Sequence, residues 1–252
     1  MRSIRIDVDQ WCINFMDSPV PNSSALPKYI QISEMLIREI SAGRLADGAK
    51  LPTEREMAAE LGTSVGTLRK SLNDLEQKGM LRRIHGSGNY VQHQPDPAGV
   101  YAFFRLELVD GGGLPTADYL DVQRLRKSAD LPDFGSSPVG HRIRRLRRLS
   151  GRPAALEEIW LDGSWTKSMD PDDISESLYF YYKTKLNLWI TDAEDRVGIG
   201  EVPGWRVDQF DMIPGQPCGL VERWGRTEMG DVAEYSRTWF DPSVARYIAR
   251  MR

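Results

Sequence analysis

Apolar residues recur at helical spacing along the first third of this 252-residue chain. In the segment KYIQISEMLIREISAG, Tyr29, Ile32, Leu36 and Ile40 follow one another every three or four residues, and Gly43 stands just past the last of them. That spacing places the four side chains on one face of an α-helix, and glycine commonly follows the end of a helix. We therefore predict a first helix between Pro27 and this glycine.

Two further helices are predicted by their capping residues. Thr53 and Glu56 form a T-x-x-E capping box, which predicts a helix over residues 54–61. Thr63 or Ser64 can cap a third helix that extends to about residue 78. The apolar stripe of this third helix consists of Leu68, Leu72 and Leu75.

A β-hairpin is predicted after the third helix, with short strands on either side of His85-Gly86-Ser87-Gly88. Three helices and a hairpin form the outline of a winged helix-turn-helix, which we assign to residues 26–94. A polar, proline-containing stretch before it predicts an arm without regular structure over residues 1–25. Residues 95–99 predict a linker after it.

The pattern changes after the linker to strands mixed with helices. Helices are predicted over residues 174–185 and, more weakly, 201–210. This is an α+β arrangement with a mostly antiparallel sheet, in a second domain over residues 100–252. The predicted strands cover residues 101–109, 119–125, 140–149, 154–161, 193–199, 219–226 and 232–240.

Composition excludes several classes of protein. The net charge is −3, yet residues 26–94 carry ten Lys and Arg against eight Asp and Glu, which permits DNA binding without requiring it. Cys12 and Cys218 are too few and too far apart for a disulfide scaffold or a metal site. No secretion signal or membrane span is recognisable. We expect a cytoplasmic protein without metal or cofactor and with no membrane partner.

The third predicted helix is the candidate nucleic-acid reading element. In a helix-turn-helix, the N-terminal residues of the second helix of the pair reach base edges in the major groove. With the leucines turned inward, Ser64, Thr67, Lys70 and Ser71 would face outward, and Arg69 could reach a guanine edge or a phosphate. These residues alone also allow a solvated basic face, a dimerisation module or an RNA-contacting module. Further candidates are Arg55 on the preceding helix and Arg82, Arg83 and His85 in the hairpin.

Residues 29–91 closely resemble the DNA-binding domain of GntR-type regulators. They contain the pattern G-x-L-x-x-G-x-x-L-P-T-E-R-E-(M/L)-A, then T-(V/L)-R-(K)-x-L, then G-x-G-x-(Y/F)-V. Val65 stands where many members have an arginine, so we expect the operator to deviate from the most common family sequence. The resemblance implies that DNA is contacted by residues that match Arg55, Ser64, Thr67, Arg69, His85 and Gly86.

The second domain contains a run of arginines, HRIRRLRRL, at residues 141–149. On a strand, Arg145 and Arg147 share one face, and two guanidinium groups on the buried side of a sheet would form an anion site. The run alone favours an exposed basic strand or a second nucleic-acid patch, because arginine is rarely buried. Glu157 and Glu158, on the next predicted strand, could pair with these arginines and argue against the patch.

Four motifs of the second domain, in order, resemble the UTRA effector domain, which defines the HutC branch of GntR regulators. They are R-L-R-x-x-x-G-x-P-A-A-L-E-x-x-W-L from residue 145, S-L-Y at 177–179, V-E-R at 221–223 and E-Y-S-R-T-W-F at 234–240. The resemblance implies a chorismate-lyase-like fold and a pocket for an anionic or polar effector. The segment 101–104 lacks the serine-containing sequence common in sugar-phosphate responders, which argues against an amino-sugar phosphate. The implied pocket residues are Arg145, Arg147, Glu157, Ser177, Tyr179, Glu234 and Phe240.

We therefore expect a homodimeric, metabolite-responsive repressor that leaves a pseudo-palindromic operator when its effector binds. We expect no catalytic residues, because the three histidines show no ligand spacing and Glu157 and Glu158 alternate faces on their strand. The alternative is a small-molecule-binding or lyase-like enzymatic domain whose winged helix mediates protein contacts.

Overall fold

The computed structural model of the chain describes residues 26–93, 101 and 103–250. The predicted arm over residues 1–25 and the predicted linker over 95–99 lie outside these residues. The first part of the described chain contains the three helices and the hairpin that the sequence predicts, with ends that differ by a residue or two. These elements are α1 (Lys28–Ser41), α2 (Glu54–Glu60), α3 (Val65–Gln77), β1 (Leu81–Ile84) and β2 (Gly88–Val91).

The predicted capping box opens α2. The Thr53 side chain accepts a hydrogen bond from the backbone N–H of Glu56 at 3.3 Å, and the Glu56 carboxylate accepts one from the backbone N–H of Thr53 at 2.8 Å. Two of the helix's unpaired N–H groups are thus satisfied locally, which explains why α2 begins where it does.

The apolar stripes of α1 and α3 meet in one core. Ile32, Leu36 and Ile40 of α1 and the three leucines of α3 are all fully buried in the same cluster. Ser71 departs from the sequence expectation that it faces outward. It is buried, and its hydroxyl donates a hydrogen bond to the backbone carbonyl of Thr67 at 3.1 Å.

The second part of the chain is built on a large antiparallel sheet. The element bounds are β3 (Leu106–Leu108), β4 (Pro115–Arg126), β5 (Val139–Leu149), β6 (Arg152–Asp162), α4 (Leu178–Lys185), β7 (Asp192–Glu201), β8 (Pro217–Arg226), β9 (Val232–Phe240) and β10 (Ala245–Tyr247). The sheet has six strands in the order β4-β5-β6-β9-β8-β7, and β3 and β10 form a separate antiparallel pair. A short 3-10 turn (Pro171–Asp173) precedes α4.

Three sequence expectations are wrong in this part. Residues 201–210 form no helix, because Val202, Phe210 and Met212 pack as a loop against Leu146 and Leu156 of the sheet. The strand expected over residues 101–109 is confined to β3, because the described residues before it, 101 and 103–105, line the cleft instead of pairing with a strand. The helix expected over 174–185 begins only at residue 178.

The two faces of the large sheet are covered differently. The helix α4 packs on one face through Leu178, Tyr181 and Tyr182, against Ile143 and Ile159. The loop over residues 202–216 covers part of the other face. Within the described residues, no helix is long and apolar enough to cross a membrane.

Leu72→Ala tests the core that holds α3 in place. Leu72 is completely buried, so the substitution removes apolar contacts and leaves a cavity. We expect the free energy of unfolding of the helical part to fall by about 2–5 kcal/mol. Urea unfolding followed by the helical circular dichroism signal measures it. Gln77→Ala, at an exposed position of the same helix, should change stability by less than about 0.5 kcal/mol, and an equal effect of both would contradict the assignment.

Candidate functional site

The N-terminus of α3 is an exposed, capped helix end. The Ser64 side chain accepts a hydrogen bond from the backbone N–H of Thr67 at 3.0 Å, and the two hydroxyl oxygens lie 2.9 Å apart. Ser64, Arg69 and Lys70 are exposed, and Thr67 is half-buried. A helix N-terminus presents N–H groups and the positive end of the helix dipole, both of which favour a phosphate.

Arg69 is held by an acidic residue of the neighbouring helix. Its Nε lies 2.6 Å from Oε2 of Glu54, and the Arg69 side chain is 62% exposed. Exposed ion pairs of this kind contribute little to stability, so the guanidinium can exchange Glu54 for a phosphate or a base edge. Arg55, the next residue of α2, is exposed.

The hairpin is tied to α3 by Arg83. Its Nη2 donates to the side-chain oxygen of Asn73 in α3 at 2.9 Å, and its Nε donates to that of Asn89 in β2 at 3.3 Å. His85 and Gly86 are exposed at the tip of the turn, where Gly86 has a φ of 72°, a conformation that favours glycine. The hairpin therefore holds a fixed position beside α3, as a wing does.

All eight residues predicted to bind DNA lie on α2, at the start of α3 or in the hairpin, and all except half-buried Thr67 are exposed. No other part of the described chain covers the N-terminus of α3. This surface can bind a polyanion through helix N–H groups and flexible cationic side chains.

A cleft that is partly open to solvent lies on the α4 face of the sheet. Its floor is formed by β5, β6, β8 and β9, one end by the start of α4, and a wall by residues 101 and 103–106. The predicted cleft residues that line it are Arg145, Arg147, Glu157, Ser177, Tyr179 and Glu234.

Glu157 binds both arginines on the floor. Arg145 stands directly opposite it across the β5–β6 ladder and donates to Oε2 through Nε, and Arg147 donates to the same oxygen through Nη2 at 3.1 Å. The three residues are at most 6% exposed. Burial opposes ionisation of Glu157, but the two guanidinium groups outweigh it and lower its pKa from 4.5 to about 2. The interpretation of the arginine run as an exposed strand is therefore wrong for these two residues.

The carboxylate of Glu234 is less completely paired. Tyr179 donates a hydrogen bond to its Oε1 at 3.2 Å, whereas Oε2 is buried with no hydrogen-bond partner of regular geometry within the described residues. The Tyr182 hydroxyl interacts with the same carboxylate but lacks such geometry. Burial raises the pKa of Glu234, although Tyr182, Arg145 and Arg223 oppose this. The atom Oε2 is therefore available to a ligand that carries a hydrogen-bond donor.

Arg223 is a third guanidinium group in the cleft that the sequence analysis does not single out. Its Nε and Nη2 donate to the two carboxylate oxygens of Asp195 at 2.6 Å each, and Nη2 also donates to the backbone carbonyl of Phe103. It occupies the last position of the quoted V-E-R motif, and strand alternation places it on the same face as Val221. The motif was the available signal, but only the sheet shows which face is inside.

Two predicted residues have other packing roles. Ser177 caps α4, where its hydroxyl accepts a hydrogen bond from the backbone N–H of Phe180 at 3.3 Å, although it also lines the cleft. Phe240 lies beyond the cleft lining, in a cluster with Leu106 and Leu108. Its ring stands over Gly219, where a Cβ atom would lie only 2.1 Å from it. Among the described residues, no cluster of three or more His, Cys, Asp or Glu side chains could hold a metal ion.

Glu157→Gln tests the buried ion pairs through their pH dependence. The folded-state pKa of Glu157 lies below 4.5, so its ion pairs stabilise the fold above pH 4.5 and this contribution is lost as the pH falls towards 2. At pH 7 we expect the substitution to cost about 3–5 kcal/mol, because two buried guanidinium groups lose their counter-charge. Thermal unfolding of both proteins between pH 2 and pH 7 measures the difference, which should shrink below pH 4.5; a difference independent of pH would contradict the assignment.

Comparison with known proteins identifies both parts of the chain. Residues 28–91 match the sequence profile of bacterial regulatory proteins of the gntR family, and residues 111–246 match that of the UTRA domain. The HTH-type transcriptional regulator SmoD of Agrobacterium fabrum is 59% identical over 228 residues, which cover 90% of this chain and 97% of SmoD. The HTH-type transcriptional repressor NagR of Bacillus subtilis is 23% identical over 87% of this chain and 92% of NagR.

Solved structures share the fold. YydK from Bacillus subtilis superposes with a TM-score of 0.50 at 20% identity, over 90% of this chain and all of that one. The ligand-binding domain of a GntR-family regulator from Bordetella bronchiseptica superposes with a TM-score of 0.52 at 18% identity, over 59% of this chain and 96% of that one. The winged helix-turn-helix and the antiparallel UTRA sheet are thus both confirmed. The chain belongs to the GntR family of bacterial DNA-binding transcription regulators, in the HutC-like branch that carries a UTRA effector domain.

Proposed function

We propose that this regulator is a metabolite-responsive repressor that binds an operator in duplex DNA and releases it when an effector enters the cleft. The observation that carries the proposal is the combination, in one chain, of an exposed helix N-terminus and a cleft with two buried, paired arginines. The first is suited to phosphates and base edges, and the second to a small anionic or polar molecule.

On the DNA, α3 enters the major groove with its N-terminus foremost. Ser64, Thr67 and the helix N–H groups bind phosphate oxygens, while Lys70 and Arg69 supply positive charge within reach of phosphates and bases. Arg55 binds the backbone beside α2. His85 and Gly86 bring the tip of the wing to the neighbouring groove, and Arg83 anchors the wing to α3.

The protein acts as a homodimer in the cytoplasm, where the bacterial chromosome lies. Two copies related by two-fold symmetry present two reading helices, which matches a pseudo-palindromic operator. We assign residues 1–25 to an arm, 26–94 to DNA binding, 95–99 to a linker, and 100–252 to effector binding and dimerisation.

The effector is a small molecule with an anionic or strongly polar group and at least one hydroxyl or amine. Four arginines and two glutamates line the cleft, and Asp195 pairs with one of these arginines, so positive charges exceed negative charges by one when all are ionised. This excess favours an anionic group on the effector. Burial raises the pKa of Glu234, and its Oε2 pairs with a donor group of the effector. The seven charged residues are Arg105, Arg145, Arg147, Arg223, Glu157, Asp195 and Glu234.

One relative supports this class of effector. A protein of Escherichia coli that is 26% identical over 85% of this chain is named as the repressor of a mannosyl-D-glycerate transport and metabolism system. Mannosyl-D-glycerate carries both hydroxyl groups and a carboxylate, which are the two kinds of group that the cleft accommodates.

The UTRA domain acts by binding and not by catalysis. Arg145 and Arg147 are engaged by Glu157, and Arg223 is engaged by Asp195, so these five charged groups are fixed in ion pairs. A general acid or base needs a side chain free to exchange a proton with a reacting atom, which these ion pairs oppose. A fluorescence or absorbance assay for turnover of any bound ligand tests this.

Lys70→Ala tests the DNA surface. We expect weaker binding to a duplex from the region upstream of the protein's own gene, and a salt slope smaller by about 1 in the log–log plot, because one phosphate contact is lost. Fluorescence anisotropy titrations at about 50 to 300 mM salt measure both the affinity for the duplex and the slope of its salt dependence. Lys167→Ala removes an exposed lysine of the UTRA domain and should leave affinity and slope unchanged. Equal behaviour of the two variants would exclude α3 as the reading helix.

Arg145→Gln tests the effector cleft. A thermal-shift screen of small carboxylates, phosphates, sulfonates and hydroxylated acids should find compounds that raise the melting temperature of the unmodified protein. We expect Arg145→Gln to bind the upstream duplex normally but to lose both the thermal shift and the release of DNA. Arg152→Gln, an exposed arginine of the same sheet, is the matched control. Normal release by the Arg145→Gln protein would refute the pocket assignment.

A further inference from the structure

A contact between the two domains lies directly against the effector cleft. Arg38, in the last turn of α1, reaches residues 104 and 106, which belong to the wall of the cleft. Its Nη2 donates a hydrogen bond to the backbone carbonyl of Leu106 at 2.6 Å, and its Nη1 donates to that of Phe104 at 3.4 Å. Its guanidinium carbon lies 5.3 Å from the centroid of the Phe104 ring. A charged side chain thus fastens the DNA-binding domain to the wall of the cleft.

The same phenyl ring contacts the floor of the cleft. The guanidinium carbon of Arg147 lies 5.0 Å from the centroid of the Phe104 ring. Nε and Nη2 of Arg147 donate to Glu157, and Nη1 has only a long contact of 3.5 Å to the carbonyl oxygen of Glu176. Arg147 is only 2% exposed. A ligand group that reaches Arg147 therefore has to take space that the ring of Phe104 occupies.

A second contact connects α1 with these arginines. The backbone N–H of Leu26, just before α1, donates to the carboxylate of Glu176 at 3.4 Å. The backbone carbonyl of Glu176 in turn accepts a hydrogen bond from Arg145 at 3.2 Å. Leu26 and Ile30 pack with Tyr101 in a small cluster to which Phe104 also contributes. The start and the end of α1 therefore both rest on residues that adjoin the cleft.

The Arg38 contact is built to hold a charge. Burial lowers the pKa of Arg38 to about 10, which still leaves it ionised at neutral pH. Glu107 and Glu34 oppose the effect of burial. Because it stays charged in a place shielded from water, its hydrogen bonds and its contact with the ring of Phe104 are stronger than the same contacts at the surface.

We propose that Phe104 is the residue through which occupancy of the cleft is transmitted to the DNA-binding domain. An effector group that binds Arg147 displaces the ring of Phe104, and this withdraws the backbone carbonyls that hold Arg38. The effector and the docked helix α1 therefore compete for one wall of the cleft, and effector binding releases α1. The inference rests on the proposed effector site, and it assigns the coupling to a packed contact in addition to the linker.

The consequence for DNA follows from the packing of α1. Its apolar face shares the core with α3, so α3 moves when α1 leaves the wall. In a homodimer, this changes the separation of the two reading helices. Since the effector affects only an equilibrium between two arrangements, weakening the docked arrangement by mutation should imitate the effector.

The distance between the two domains tests the proposal in the full-length protein. Spin labels are attached to Gln77→Cys and Lys167→Cys, both exposed positions, in a Cys12→Ser background. Cys218 is buried and stays unlabelled. Labelled subunits are diluted with unlabelled ones, and pulsed dipolar spectroscopy measures the distance distribution with and without inorganic phosphate, at constant ionic strength.

We expect one dominant distance without phosphate and a second population with it. Phe104→Leu keeps apolar bulk but loses the ring, and Arg38→Gln keeps donors for the two carbonyls but loses the charge. Both should populate the second distance without phosphate, with the docking equilibrium shifted at least about tenfold. Phe134→Leu is the matched control, because the ring of Phe134 also stacks on a cation, Lys127, but packs with Trp160 and Tyr235 outside the cleft lining. This variant should retain the dominant distance.

Two results overturn the proposal. Phe104→Leu and Arg38→Gln proteins with the distance distribution of the unmodified protein would exclude Phe104 as the coupling residue, whatever phosphate does. Phosphate that binds by calorimetry without changing the distance would exclude competition at the wall. Phosphate that fails to bind, or that binds the Arg145→Gln protein equally well, counts instead against the effector site, and the ligand-free comparison of variants still decides the role of Phe104.

Discussion

One carboxylate, Glu157, makes the interior of the UTRA domain possible. It neutralises two arginines that stand on the same face of β5 and are almost completely buried. An unpaired guanidinium group would lose several kcal/mol on leaving water, so neither Arg145 nor Arg147 could occupy this position without it. Because Glu157 stands opposite Arg145 in the ladder, the ion pair requires the same β5–β6 register as the backbone hydrogen bonds. The binding groups of the cleft are thereby oriented and desolvated before a ligand arrives.

The charges of the cleft form two kinds of polar group. Arg145 and Arg147 share the carboxylate of Glu157, whereas the buried carboxylate of Glu234 is incompletely paired. Arg223 connects the sheet with the wall of the cleft, because it donates both to Asp195 of β7 and to the backbone carbonyl of Phe103. Removal of Glu157 would leave two buried guanidinium groups without a counter-charge, and removal of Asp195 would leave Arg223 without one, so each group of ion pairs acts as a unit.

The helix α1 belongs to both functional regions of the molecule. Its apolar stripe packs against α3. Arg38 contacts the backbone of Leu106 in the cleft wall, and Leu26, just before the helix, contacts Glu176 beside the cleft. A rigid element that takes part in two packed contacts can transmit a displacement between them without a continuous chain of conformational changes. The exposed N-terminus of α3 needs no rearrangement to reach DNA. In the proposed homodimer, effector binding has to change only the position of the two reading helices relative to each other.

The sequence alone determined the features that depend on neighbouring residues. Thr53 predicts the start of α2, and Thr63 or Ser64 predicts that of α3, because capping is a contact between residues three positions apart; the structure has Ser64 as the cap. Strand alternation places Arg145 and Arg147 on one face whatever the fold around the strand. The GntR and UTRA motifs gave the domain classes and six of the eighteen residues that line the cleft.

The tertiary structure decided which of these faces are inside. The arginine run was compatible with an exposed strand, and its burial depends on Glu157 from another strand and on Phe104 from the segment before β3. Helix periodicity predicts Ser71 at the surface, but periodicity does not show where a neighbouring helix lies, and Ser71 is buried. Residues 201–210 form no helix, because their apolar side chains pack individually on the sheet from an irregular loop. Periodicity reflects the geometry of one element, whereas burial and charge pairing depend on residues that only folding brings together.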